Sequence, residues 1–247
     1  MSNRRVALIA DARNYVGPSL ARLLADRGHD LVLGSPRDDL VAELTSAGAA
    51  VEAVAGVGDL ADPDSAPALV AAGLARFGRI DAAVAASGQI VVGRFTKSSV
   101  EDLQTVLRGC VEAPYHFLRA VLAPMLEQGE GQVLVITSAS AARPTPGAPL
   151  YSSARAAANM LVRNVADEVA ATGVQVNAIG TNFMDFPAFL RANGIDDDPE
   201  RRAKVEAQVP MKRLGTMDEF AHACAPFLDG TSRFTTGQFL SYSGGWG

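Results

Sequence analysis

The chain has 247 residues, 48 % of them hydrophobic and 20 % charged. That is the mix of a globular α/β domain, and it excludes a disordered tail, a coiled coil and a collagen. With 22 Lys and Arg against 27 Asp and Glu the net charge is −5, so the basic footprint of a nucleic-acid or anionic-membrane partner is missing.

In chain order, short apolar runs alternate with longer amphipathic ones. Val6–Ala10 reads as a strand and Pro18–Asp26 as a helix, Asp30–Leu33 as a strand and Asp39–Ser46 as a helix. Ala50–Val54, Ser65–Phe77 and Ala82–Ala86 continue the pattern as strand, helix and strand. Two helical stretches follow, Val100–Leu107 and Ala113–Leu126, and then a β-branched strand, Val133–Thr137. Ser153–Thr172 reads as a long helix capped by Gly173, and Val174–Ile179 as a strand. Pro199–Ala207 and Asp218–Leu228 are helical patterns, and Phe239–Tyr242 is a last strand. The alternation predicts a single-domain, Rossmann-like, doubly wound parallel sheet with helices on both faces. The strands are near-continuous apolar runs, as double coverage requires.

Several features point to ordinary structural roles. Cys110 and Cys224 are far apart with no CxxC, which fits a reducing compartment and no disulfide framework. His29, His116 and His222 are scattered, so no metal is expected. The apolar run after Arg4-Arg5 stops at Asp11, too short for a signal segment or a membrane span, so the expected location is cytoplasmic. Asp196-Asp197-Asp198 precedes Pro199, which reads as a helix cap rather than a cation site. Trp246, near the C-terminus, has no role that the sequence assigns.

In a doubly wound sheet, the turn after the first strand carries glycines that let backbone approach a pyrophosphate. Here it reads Ala10-Asp11-Ala12-Arg13-Asn14-Tyr15-Val16-Gly17, and only Gly17 is kept. Asp11 puts a carboxylate where phosphates would lie, and Tyr15 puts a ring where glycine leaves room. The turn therefore reads as one rebuilt against a nucleotide. Further on, Ser138 follows a strand, Tyr151 comes thirteen residues later, and Arg155 lies four residues beyond Tyr151. Tyr151 and Arg155 share a helix face if the helix begins near Tyr151. A phenol titrates near 10 in water, and a guanidinium beside it favours the phenolate. With Ser138 holding the same oxygen, the three form a device for moving a proton on and off an alcohol oxygen.

These residues resemble the short-chain dehydrogenase/reductase superfamily, through Asp59-Leu60, Ser138, Tyr151 and the ending Gly237-Gln238 … Gly244-Gly245. More narrowly the chain resembles the halohydrin dehalogenases. Tyr151-Ser152-Ser153-Ala154-Arg155 gives YxxxR in place of YxxxK, and Tyr15 and Gly17 match the end of that family's Tx4[FY]xG turn, with Ala10 in the threonine place. The dehydrogenase NNAG motif reads Ala85-Ala86-Ser87-Gly88, and Cys110 stands for the relay asparagine.

The narrower resemblance implies a cofactor-free carbon–halide lyase. Ser138, Tyr151 and Arg155 would close a vicinal halohydrin to an epoxide, or open the epoxide with azide, cyanide or nitrite. Gly180–Pro187 aligns with the halide-binding loop. Phe183 and Met184 would bind halide through backbone N–H groups, with Thr181, Asn182 and Tyr15 as walls and Phe186 and Phe189 in an apolar substrate pocket. The implied partners are the small-molecule substrate, a small anion and three further copies in a homotetramer, with no nucleic acid and no membrane. Two other readings stay open: an NAD(P)-dependent oxidoreductase with an aberrant cofactor loop, and a non-catalytic binding module of the same fold.

Overall fold

The structure, a computed structural model, describes residues 4–247. The expected alternation forms. The strands are β1 (Arg5–Ile9), β2 (His29–Gly34), β3 (Val51–Val54), β4 (Ala82–Ala86), β5 (Gly131–Ser138), β6 (Val174–Thr181) and β7 (Phe239–Tyr242). They make one parallel sheet in the order β3-β2-β1-β4-β5-β6-β7. The chain winds outward from β1 to β3 and then crosses to β4 on the other side. That reversal opens a crevice at the carboxyl ends of β1 and β4.

Strand alternation divides the core between the two faces of the sheet. Val6, Leu8, Val133, Val135 and Val176 pack with Phe117 and Val162 on one face. Ala7, Ile9, Leu134, Ile136 and Ile179 pack with Leu20, Leu24 and Phe220 on the other. Period-two side chains on buried strands leave no room for a polar face.

The helices are α1 (Gly17–Asp26), α2 (Asp38–Ser46), α3 (Ser65–Phe77), α4 (Val100–Leu107), α5 (Ala113–Gln128), α6 (Pro149–Val169), α7 (Pro187–Asn193), α8 (Pro199–Glu206) and α9 (Met217–Cys224). Three differ from the sequence expectation. Helix α6 starts at Pro149, which has no amide hydrogen to lose at the first turn, so Tyr151 lies inside the helix. Helices α4 and α5 are joined through a π-helical turn, Arg108–Glu112, that keeps one helical run going past Cys110. Helix α7 is short, and the apolar pattern carries no sign of it. Asp198 accepts from the Arg201 amide with Pro199 following, the cap expected of it.

Cys110 and Cys224 are both buried thiols. No helix among the described residues is long and apolar enough to cross a membrane. Nor does any group of three His, Cys, Asp or Glu among them have the placement to hold a metal ion.

One buried polar contact ties α6 to the sheet. Thr137 Oγ1 donates to Asn159 Oδ1 at 2.8 Å, one turn beyond Arg155, and both residues are buried. Replacing Asn159 with Leu strands the Thr137 hydroxyl, a loss of about 1–3 kcal/mol. Urea unfolding should show a lower midpoint with an unchanged slope. The double change Thr137→Val/Asn159→Leu should recover part of that loss, because neither side then carries an unmet polar group.

Candidate active site

A cleft of about 840 Å³ runs along the carboxyl edge of the sheet. One end is formed by Val57, Asp59 and Leu60, the floor by Ala10, Asp11 and Ala86–Gly88, and the other end by Phe183–Asn193. Every residue singled out by the sequence lines it: Ser138, Tyr151 and Arg155, together with Tyr15, Thr181, Asn182, Phe183, Met184, Phe186 and Phe189. Topology alone brings them together, because strand ends and the helix starts that follow them meet on one edge of a parallel sheet.

Ser138 is the last residue of β5 and pairs in register with Thr181 of β6. Its Oγ accepts from the Ser140 amide at 3.1 Å and donates to Thr181 O at 3.4 Å. The hydroxyl is fixed by one firm contact and one long one, so its proton can turn to a ligand oxygen. Tyr151 and Arg155 sit one turn apart near the start of α6. The Arg155 guanidinium lies over the Tyr151 ring, 5.1 Å from its centroid.

Arg155 is 5 % exposed. Its Nη2 donates to Ser87 O, while Nε and Nη1 have no partner, and neither does the buried Ser87 hydroxyl. No carboxylate among the described residues pairs with the guanidinium. Gly88 gives it space, since a Cβ there would collide with Nη2. In the sequence this stretch reads only as a lost motif. The signal for its true role was the glycine that survived.

No His, Lys or Glu lines the cleft. Asp11 is committed elsewhere, as its Oδ1 accepts from the amides of Arg13 at 2.9 Å and Asn14 at 3.1 Å. The other acid–base side chains in the lining are Asp59 and the phenols of Tyr15 and Tyr151. Tyr15 is the weaker phenol for proton transfer, because burial pushes it up and keeps it neutral. Its hydroxyl is bonded to Thr181 Oγ1, and its ring packs edge-on to Phe186 at 4.7 Å. Tyr15 also holds φ 52°, a left-handed conformation of the kind glycine adopts without strain. Gly17 keeps the turn closed, since a Cβ there would collide with Asp11 O. Of the two phenols, that leaves Tyr151.

The lid follows β6. Phe183 also has positive φ, 57°, and its amide donates to Asn182 Oδ1 at 2.9 Å. Met184 is buried and bridges to Gly215. Phe186 and Phe189 are 6.2 Å apart, as are Phe183 and Phe189. The Phe183 amide, one of the two expected to face a halide, already has an acceptor in Asn182 Oδ1. Asp59 supports its loop: it accepts from the Ala61 amide and pairs with Arg108, which holds its carboxyl below the usual range.

A profile of the family described as enoyl-(acyl carrier protein) reductase matches residues 12–247. An uncharacterised oxidoreductase of Mycobacterium tuberculosis is 32 % identical over 247 residues, covering 97 % of this chain and 90 % of that protein. The (2S)-[(R)-hydroxy(phenyl)methyl]succinyl-CoA dehydrogenase subunit BbsC of Thauera aromatica is 33 % identical over 250 residues, 99 % of this chain and 95 % of that one. Among solved structures, a protein of Beutenbergia cavernae assigned as an NAD(P) dependent gluconate 5-dehydrogenase, with NADP bound at low occupancy, aligns with a TM-score of 0.85 at 25 % identity, over 98 % and 96 % of the two chains.

These findings overturn the expectation of a halohydrin dehalogenase. Similarity over nearly the whole chain leads to oxidoreductases, whereas the dehalogenase reading rested on a few positions in the turn, the YxxxR pair and the lid. The halide role of Tyr15, Thr181, Asn182, Phe183 and Met184 and the absence of a nicotinamide rested on that reading and lose their ground with it. The chain belongs to the short-chain dehydrogenase/reductase superfamily, in the family described as enoyl-(acyl carrier protein) reductase.

Proposed function

We propose that the chain is an oxidoreductase of the short-chain class that interconverts an alcohol and a carbonyl on an apolar substrate, with a weakly held nicotinamide dinucleotide as the hydride carrier. The observation that carries this reading is the meeting of Ser138, Tyr151 and Arg155 in one cleft, in a chain whose relatives are oxidoreductases. Tyr151 passes the proton to or from the substrate oxygen. Ser138 turns its hydroxyl from Thr181 O to that oxygen and fixes its position. Arg155, buried and without a counter-charge, stabilises negative charge as it develops on the oxygen or the phenol. The rings of Phe183, Phe186 and Phe189 exclude water and receive the apolar part of the substrate.

The relative solved with NADP makes a nicotinamide dinucleotide the group to test against these residues. The turn that would face its pyrophosphate is poorly suited to holding it tightly. The amides of Arg13 and Asn14, which a pyrophosphate would need, are taken by the Asp11 carboxylate. That carboxylate would also repel phosphate oxygens. Tyr15, latched to Thr181, fills the glycine position between turn and lid. What this chain's own residues supply is the proton half of the reaction.

Oxidation of 1-phenylethanol with NAD+ or NADP+ at high concentration tests the reading. Product should form, and Tyr151→Phe should lower kcat/KM by at least about a hundredfold at an unchanged Tm. No oxidation with either dinucleotide, or full activity in Tyr151→Phe, overturns it. The turn has its own test. NADPH fluorescence titration should show weak, millimolar-range binding, tightening in Asp11→Gly/Tyr15→Gly as amides and space are freed. Micromolar binding by the unaltered chain would show that the Asp11 carboxylate yields to phosphate.

A further inference from the structure

The chain's sole tryptophan lies outside the cleft lining, yet it touches both structures that bound the substrate end. On one side the Arg143 guanidinium lies 4.6 Å over the Trp246 ring, and Arg143 Nη1 donates to Trp246 O at 2.8 Å. Arg143 belongs to the loop that runs from Ser138 to Tyr151. On the other side the indole meets the Phe183 ring edge-on, 5.6 Å between centroids. Phe183 lines the cleft and meets Phe189 in turn.

The tail that carries Trp246 is anchored. Gly244 and Gly245 both take positive φ, 60° and 88°, and turn the chain back after β7. The Met211 amide donates to Gly244 O, the Trp246 amide to Ser243 O at 3.2 Å, and the Gly247 amide to Ser243 Oγ at 3.0 Å. A Cβ at Gly247 would stand 3.3 Å from Ala139, the residue after Ser138. Gly247 thus packs against the start of the loop after Ser138.

We propose that Trp246 is a positioning residue that sets substrate specificity: wedged between Arg143 and Phe183, it holds the lid ring at a fixed distance from the Ser138–Tyr151 loop. With the Phe183 ring held inward the pocket is narrower there, so the wedge favours a smaller apolar group over a larger fused one. The physical reason is the strain at Phe183. A phenylalanine at φ 57° keeps that conformation only while its surroundings hold it. The Asn182 side chain and the Gly215 amide fix its backbone, and Trp246 backs its ring. Removing the indole frees the ring to swing outward and widens the pocket. The proposal rests on the cleft being the substrate site, and its first test does not depend on the reaction.

Acrylamide quenching of the sole tryptophan reads the wedge directly. Quenching should rise in both Arg143→Ala and Phe183→Ala, since each uncovers one face of the indole. Unchanged quenching in both overturns the proposal. Specificity is read by calorimetric titration with benzyl alcohol and 2-naphthalenemethanol. Trp246→Ala should weaken benzyl alcohol by up to about tenfold, roughly the loss of one edge-to-face contact, while the naphthalene alcohol holds or gains. Trp246→Phe should restore the original preference. A folded Trp246→Ala protein with the same ratio of affinities for the two alcohols overturns the specificity role. Failure of the oxidoreductase reading would appear differently, as a chain with the expected quenching and alcohol binding that oxidises neither alcohol.

Discussion

Burying the Arg155 guanidinium without a carboxylate costs several kcal/mol of lost hydration. One carbonyl, Ser87 O, and the face of one ring, Tyr151, offset part of that cost. What remains is a charge in need of negative partial charge, in the lining of the cleft. The neighbouring structure serves to hold it. Gly88 has no side chain because the guanidinium occupies that space. Helix α6 is bonded to β5 through Thr137 and Asn159, so Arg155 cannot slide away from Ser138.

A second constraint acts across the cleft. Tyr15 leaves the turn after β1 and reaches Thr181 at the end of β6, 166 residues further on. The same β6 end carries the carbonyl that takes the Ser138 proton. The turn, the proton-handling hydroxyl and the lid are thereby joined through one residue. Any ligand that displaces Tyr15 must break a half-buried hydrogen bond and two ring contacts. This connection, rather than the loss of glycines alone, separates the turn from one shaped for pyrophosphate. It stands beside a likeness to dehydrogenases that extends over nearly the whole chain, so the fold and the turn point in different directions about the hydride carrier.

The aromatic side chains form a third layer. From Phe220 through Tyr15, Phe186, Phe189 and Phe183 to Trp246, successive rings meet at tilted or edge-on angles. Such contacts each add about 0.5–1.5 kcal/mol beyond burial. Together they make a continuous aromatic wall at the lid end of the cleft.

Local pattern was enough for much of this. Apolar runs marked each of the seven strands, most clearly the inner ones, because a strand buried on both faces is apolar through most of its length. Asp198 before Pro199 marked a helix start, and the spacing of Ser138, Tyr151 and Arg155 marked three side chains that meet in one cleft. All of these signals lie within a few turns of chain. What packing alone decided joins residues far apart: Tyr15 with Thr181, Ser87 with Arg155, and Trp246 with Phe183. The π-helical turn at Arg108–Glu112 and the start of α6 at Pro149 were likewise hidden, since helix ends depend on what the first and last turns pack against. The dehalogenase reading failed in the same way. It weighed a few motif positions in isolation, while the amide of Phe183 was already bound by a neighbouring side chain and the rest of the chain followed the oxidoreductases. Residue type and spacing determine which groups can do chemistry. Which of them have free bonding capacity is decided only when the folded chain has used up the rest.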